Sequence, residues 1–88
     1  MSKITLDQAA ALACTEARRA AQKHPPMHSH HEAYAVIAEE FNKEYWDEIC
    51  KGGSIPRDPA ALRLELIQTA AMCLRALSDL CDGETHAI

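Results

Sequence analysis

The residues of this chain best suited to chemistry are acids at helical spacing. Glu39, Glu40, Glu44, Asp47 and Glu48 lie close together, and Glu65 and Gln68 follow further along. On a wheel of 100° per residue, Ala33, Val36 and Ile37 share one arc of about 100° with Glu40 and Glu44, and Asp47 sits at its edge. An acid in an apolar arc is costly unless a cation, an arginine or water compensates its lost hydration. Glu65 and Gln68 flank the apolar face of a later segment, so antiparallel packing of the two segments would set Glu40 and Glu44 across a groove from Glu65 and Gln68. Three carboxylates and an amide are all oxygen donors, a set that suits magnesium or manganese better than zinc. The plainer reading is a solvated helix face in which Lys43 pairs with Glu39 or Asp47.

Two other groups carry weaker signals. His24, His28, His30 and His31 cluster as transition-metal ligands do, but Ser29 and Glu32 already account for that stretch as a helix start. Tyr34, Phe41, Tyr45 and Trp46 offer rings on which a base could stack, although packing in a core or between subunits is the commoner use. Trp46 falls opposite the Ile37 arc, and an exposed tryptophan there points to a partner helix.

Three segments must position these residues, each with recognisable punctuation. The first spans about 6–23, with Thr5 as N-cap and Gln8 at capping-box spacing, and ends at His24-Pro25-Pro26. The second spans about 29–51, opened by Ser29-His30-His31-Glu32 and stopped by Gly52-Gly53. The third spans about 58–81, opened by Asp58-Pro59 and stopped by Asp82-Gly83, with a frayed tail. Its expected core face is Leu62, Leu66, Ala70, Cys73, Leu77 and Leu80. No segment alternates with period two. The expectation is an all-α, three-helix antiparallel bundle of hairpin type, forming one domain over residues 1–88.

Composition narrows the classes. A chain of 88 residues supports one small core, and such chains often complete their burial against a copy of themselves. The net charge is −4 and the basic residues are scattered, which argues against nucleic-acid binding by charge neutralisation. Cys14, Cys50, Cys73 and Cys81 form no C-x-x-C pair and read as free cysteines of a reducing compartment. The N-terminal stretch lacks the pattern of a signal peptide, and no run approaches the roughly twenty apolar residues of a membrane span, so a cytoplasmic protein is expected.

Four stretches, in order, carry a resemblance. They are His28-Ser29-His30-His31-Glu32-Ala33-Tyr34-Ala35-Val36-Ile37-Ala38-Glu39-Glu40, then Tyr45-Trp46-Asp47-Glu48-Ile49, then Arg57-Asp58-Pro59, then Glu65-Leu66-Ile67-Gln68-Thr69-Ala70-Ala71-Met72. Over roughly residues 28–80 the chain resembles the small MazG-like proteins of phages and prophages, which belong to the all-α nucleoside triphosphate pyrophosphohydrolase group. The resemblance implies hydrolysis of nucleoside triphosphates between the α- and β-phosphates, with magnesium held by an E-E-x-x-E motif on one helix and an E-x-x-D motif on the next. It also implies assembly as a homodimer or homotetramer. Carried over, Glu39 and Glu40 match the paired acids and Glu65 the first acid of the second motif, which makes Glu39, Glu40 and Glu65 the catalytic candidates. Glu40, Glu44, Glu65 and Gln68 are the metal candidates, and Lys51, Arg57 and Arg63 the candidates for binding phosphate. Two positions depart: Lys43 stands where the third acid belongs, with Glu44 one place later, and Gln68 stands where aspartate belongs. A neutral amide gives an oxygen but no charge, so it weakens both metal affinity and polarisation of a bound water. The departures keep open a second expectation, a non-catalytic helical interaction module of phage origin.

Overall fold

The computed structural model describes residues 3–50 and 58–82, and within them the chain is helical, with no strand. Helix α1 runs Leu6–Lys23. Its capping box is complete: Thr5 Oγ1 accepts from the Gln8 amide at 3.0 Å, and the Thr5 amide donates to Gln8 Oε1 at 2.8 Å. His24 is extended, as a residue before proline tends to be, and this ends the helix.

The second segment is a single rod of three stretches, two α-helical and one π-helical. Helix α2 spans His30–Ala38, a π-helical stretch spans Glu39–Tyr45, and α3 spans Trp46–Cys50. Ala38, Glu39 and Trp46 all keep right-handed helical backbone angles, so the joins do not bend the chain away. At its start Ser29 Oγ accepts from the Glu32 amide at 3.1 Å, but Glu32 Oε1 accepts from the His28 amide at 3.2 Å. The reciprocal half of the expected box therefore lands one residue before the cap. Helix α4 runs Pro59–Leu80, with Asp58 Oδ1 accepting from the Ala60 amide at 3.0 Å and proline at the first helical position. The expected stop at Gly52-Gly53, Gly83 and the tail beyond it lie outside the described residues.

Helices α1 and α4 run in the same direction, since Gln8 and Leu12 lie beside Leu64 and Ile67 while Ala17 and Ala21 lie beside Leu74 and Ser78. The α2 rod runs antiparallel to both, which brings Val36 near Met72 and Glu40 near Gln68. The connection between α1 and α2 is pinned to α4 twice. Arg75 donates to the Pro25 carbonyl at 3.0 Å, and Asp79 Oδ2 accepts from the Met27 amide at 2.9 Å.

The buried apolar residues are small or flexible: Ala13, Ala20, Met27, Ala33, Ala71 and Met72. Alanines at the helix contacts let the backbones approach closely, and Met27 and Met72 fill the remaining gap. This corrects the expected core face of the third segment. Leu66 and Leu77 are 48% and 59% exposed and Cys73 is exposed, while Ala71 is 0% exposed. A helical wheel finds the most apolar face, but α1 and α2 pack onto the smaller-residue face beside it, where Glu65, Gln68, Met72 and Arg75 also lie.

Candidate functional site

Where α1, the α2 rod and α4 meet, a groove of about 460 Å³ is lined by Glu16, Arg19, Glu32, Glu40, Gln68 and Arg75 among others. Its volume is that of small-molecule sites, and its polar groups come from all three helices. Helix α1 contributes Glu16, whose carboxylate takes two hydrogen bonds from Arg19, one of them from Nε at 2.9 Å. That bond, three residues apart on one helix face, holds the Glu16 carboxyl below its ordinary range. The α2 rod contributes Glu32 and Glu40, and α4 contributes Gln68 and Arg75.

Glu40 is the strained member. Its Oε2 atom is buried and accepts no hydrogen bond from a described residue. Burial raises its carboxyl above the ordinary range, and the charges of Glu65, Glu44, Glu39 and Glu16 push it further, in that order. Four acids from three helices thus converge electrostatically on one carboxyl. The predicted candidates Glu40, Glu65 and Glu44 share this field, and Gln68 shares the groove. Glu39 is exposed on the rod beside Glu40.

The π-helix changes which residue follows Glu39 by one turn. In an α-helix the residue one turn beyond Glu39 would be Lys43. A π-helix closes its bonds from i to i+5, so the extra residue is absorbed and Glu44 follows one turn beyond Glu39 instead. Glu44 also lies four residues beyond Glu40, one ordinary α-helical turn, and its charge raises the Glu40 carboxyl; Lys43 and Glu44 are both exposed.

The other candidates fall elsewhere. Lys51 and Arg57 lie outside the described residues. Arg63 is exposed and lines a neighbouring groove with Ile4, Gln8 and Leu12, to which Glu16 also contributes. His28, His30 and His31 are exposed at the helix start, and His24 is exposed at the rim of the acidic groove. Phe41 and Tyr45 stack with ring centroids 6.1 Å apart, and with Trp46 they form an apolar surface of the rod, Trp46 being 57% exposed. All four cysteines are free. No helix among the described residues is long and apolar enough to cross a membrane.

Sequence reasoning missed Glu16, Arg19, Glu32 and Arg75 as groove residues. Arg75 did leave a signal, as the lone charge in the apolar run Thr69–Leu77. Glu16 left none, because only the packing of α1 against α4 turns it toward Glu40. Among the described residues no group of three or more His, Cys, Asp or Glu side chains is placed to hold a metal ion. No protein family, no curated protein and no solved structure matches this chain.

Proposed function

We propose that this chain is a magnesium-dependent, MazG-like nucleoside triphosphate pyrophosphohydrolase acting as a cytoplasmic homodimer or homotetramer. The observation that carries the reading is Glu40, whose buried Oε2 accepts no bond from a described residue while Glu65, Glu44, Glu39 and Glu16 press like charge upon it. A hard divalent cation would relieve that repulsion, and carboxylate and amide oxygens are its preferred donors. Glu40, Glu44 and Glu65 would hold magnesium or manganese, with Gln68 adding a carbonyl oxygen. When bound, such a metal supplies charge neutralisation for the phosphates and a more acidic water. Glu40 or its neighbour Glu39 would take the proton of the attacking water. That water adds to the α-phosphorus, the bond from it to the bridging oxygen breaks, and monophosphate and pyrophosphate leave.

Self-association is supported by the inverted distribution of apolar side chains. The core holds alanine and methionine, while Leu6, Tyr34, Phe41, Trp46, Leu64, Leu66 and Leu77 are exposed. A second copy covering those faces would complete the bundle. Light scattering that finds a monomer at micromolar concentration contradicts this part of the reading.

The deciding experiment follows a panel of ribo- and deoxynucleoside triphosphates with magnesium or manganese. Monophosphate and pyrophosphate are expected, with Glu40→Gln and Glu65→Gln each lowering turnover by roughly a hundredfold or more. Gln68→Asp is expected to raise it by restoring charge. No turnover of any nucleotide by the wild type or by Gln68→Asp sinks the catalytic reading. It would favour the alternative, a non-catalytic interaction module, for which the exposed Phe41 and Trp46 surface is the supporting observation.

A further inference from the structure

The charge at the floor of the acidic groove is unaccounted for by that catalytic set. Arg75 is only 8% exposed and contributes from α4 to the groove that Glu40 and Glu32 of the rod also line. A guanidinium carries five N–H donors in a planar fork. The structure gives Arg75 two partners: the Pro25 carbonyl at 3.0 Å, and the Met72 thioether at 3.7 Å, a weak acceptor. Its Nε is buried and donates to no described residue, and no carboxylate of a described residue forms an ion pair with it. Burying a charged group without an opposite charge is costly, so the position asks for an anion.

The anion cannot come alone. Glu32 and Glu40 line the same groove and repel it, as does Glu16, although Glu16 is paired with Arg19. A ligand that presents negative charge to Arg75 and positive charge to Glu40 satisfies both walls, and a divalent cation complexed to an oligophosphate is such a ligand. Phosphate oxygens match the guanidinium fork, and a groove of about 460 Å³ has room for the chain of phosphates.

We infer that Arg75 anchors the phosphate chain of a metal-complexed oligophosphate in the α1–α2–α4 groove, exchanging its weak contact to Met72 for a phosphate oxygen. The inference rests on the reading of Glu40 as part of a metal–phosphate site, but not on turnover. It moves the phosphate contact from Arg63, which lines the other groove, to the residue buried in this one.

Binding of tripolyphosphate to the full chain, measured by titration calorimetry with and without magnesium, tests it. Magnesium-dependent binding is expected, weakened roughly tenfold or more in Arg75→Lys, which keeps the charge but loses the fork, and further in Arg75→Met. Circular-dichroism melting of each variant separates lost binding from lost fold, and Arg75→Lys serves if Arg75→Met does not fold. Wild-type binding that is absent, or equally tight without magnesium, overturns the inference, as does unchanged affinity in a folded Arg75→Lys. Arg75-dependent binding without nucleotide turnover keeps the inference and removes catalysis. Turnover with binding indifferent to Arg75 does the reverse.

Discussion

Glu65 on α4 is the strongest of the charges that act on Glu40, across the groove between α4 and the π-helical part of the α2 rod. The two acids are 25 positions apart in sequence and belong to helices that run in opposite directions. Their repulsion, added to burial, raises the Glu40 carboxyl above its ordinary range.

A pH dependence follows with a defined sign. The folded chain holds the Glu40 proton more tightly than the unfolded chain does, because the folded value is raised. The stability this proton contributes is full below the ordinary glutamate value and is lost as pH rises through the raised folded value. Melting temperature should therefore fall as pH rises from the ordinary glutamate value through the raised one. In Glu40→Gln that fall should be smaller and the neutral-pH melting temperature higher than in the wild type. Glu16 works in the opposite sense, losing its contribution only as pH drops through its lowered value, so the two effects separate along the pH axis. An unchanged pH slope in Glu40→Gln would show that Glu40 is not the group responsible.

The π-helix carries a second prediction. If its extra residue does no more than shift Glu44 into phase, deleting Lys43 should convert Glu39–Tyr45 to ordinary α-helix while leaving Glu44 one turn beyond Glu39. The deletion variant should fold with undiminished helical signal and keep the pH sensitivity that Glu44 imposes on Glu40. Loss of cooperative melting would show that the π-turns themselves are needed for packing on α4.

Asp79 tests how the connection between α1 and α2 is held. Asp79→Ala removes the acceptor of the Met27 amide and should cost about 1–3 kcal/mol in urea denaturation, whereas Asp79→Asn keeps an acceptor and should cost less. Hydrogen exchange at the Met27 amide should accelerate in the alanine variant first.

The close approach of the helices is tested at Ala71. With 0% exposure it has no room for a longer side chain, and Ala71→Leu should destabilise by about 1–3 kcal/mol in the same assay. A neutral effect would mean that the alanine contact is looser than its burial implies.

Much was legible in the sequence because it is local. Thr5 with Gln8, Ser29 with Glu32, and Asp58 with Ala60 mark helix starts through bonds made within four residues; the Thr5 box forms whole, while Glu32 returns its bond to His28 instead of Ser29. The all-α class and the antiparallel run of α2 against α4 follow from such signals and from the short joints between them. The facing of Glu40 with Glu65 and Gln68 was readable too, since a wheel places residues on a face once the direction of the helix is known.

What only the tertiary structure decided is non-local. Hydrophobicity pointed to Leu66, Cys73 and Leu77 as the inner face of α4, but packing chose Ala71 and Met72, because close helix contact rewards small side chains as well as apolar ones. No pattern within one helix reveals that Glu16 of α1 bears on Glu40, or that Arg75 is buried beside Pro25, since both depend on which faces of three helices meet. So the sequence by itself determined the helices and which residues share a face of each. The tertiary structure decided which faces were buried, and with that it set the charges around Glu40.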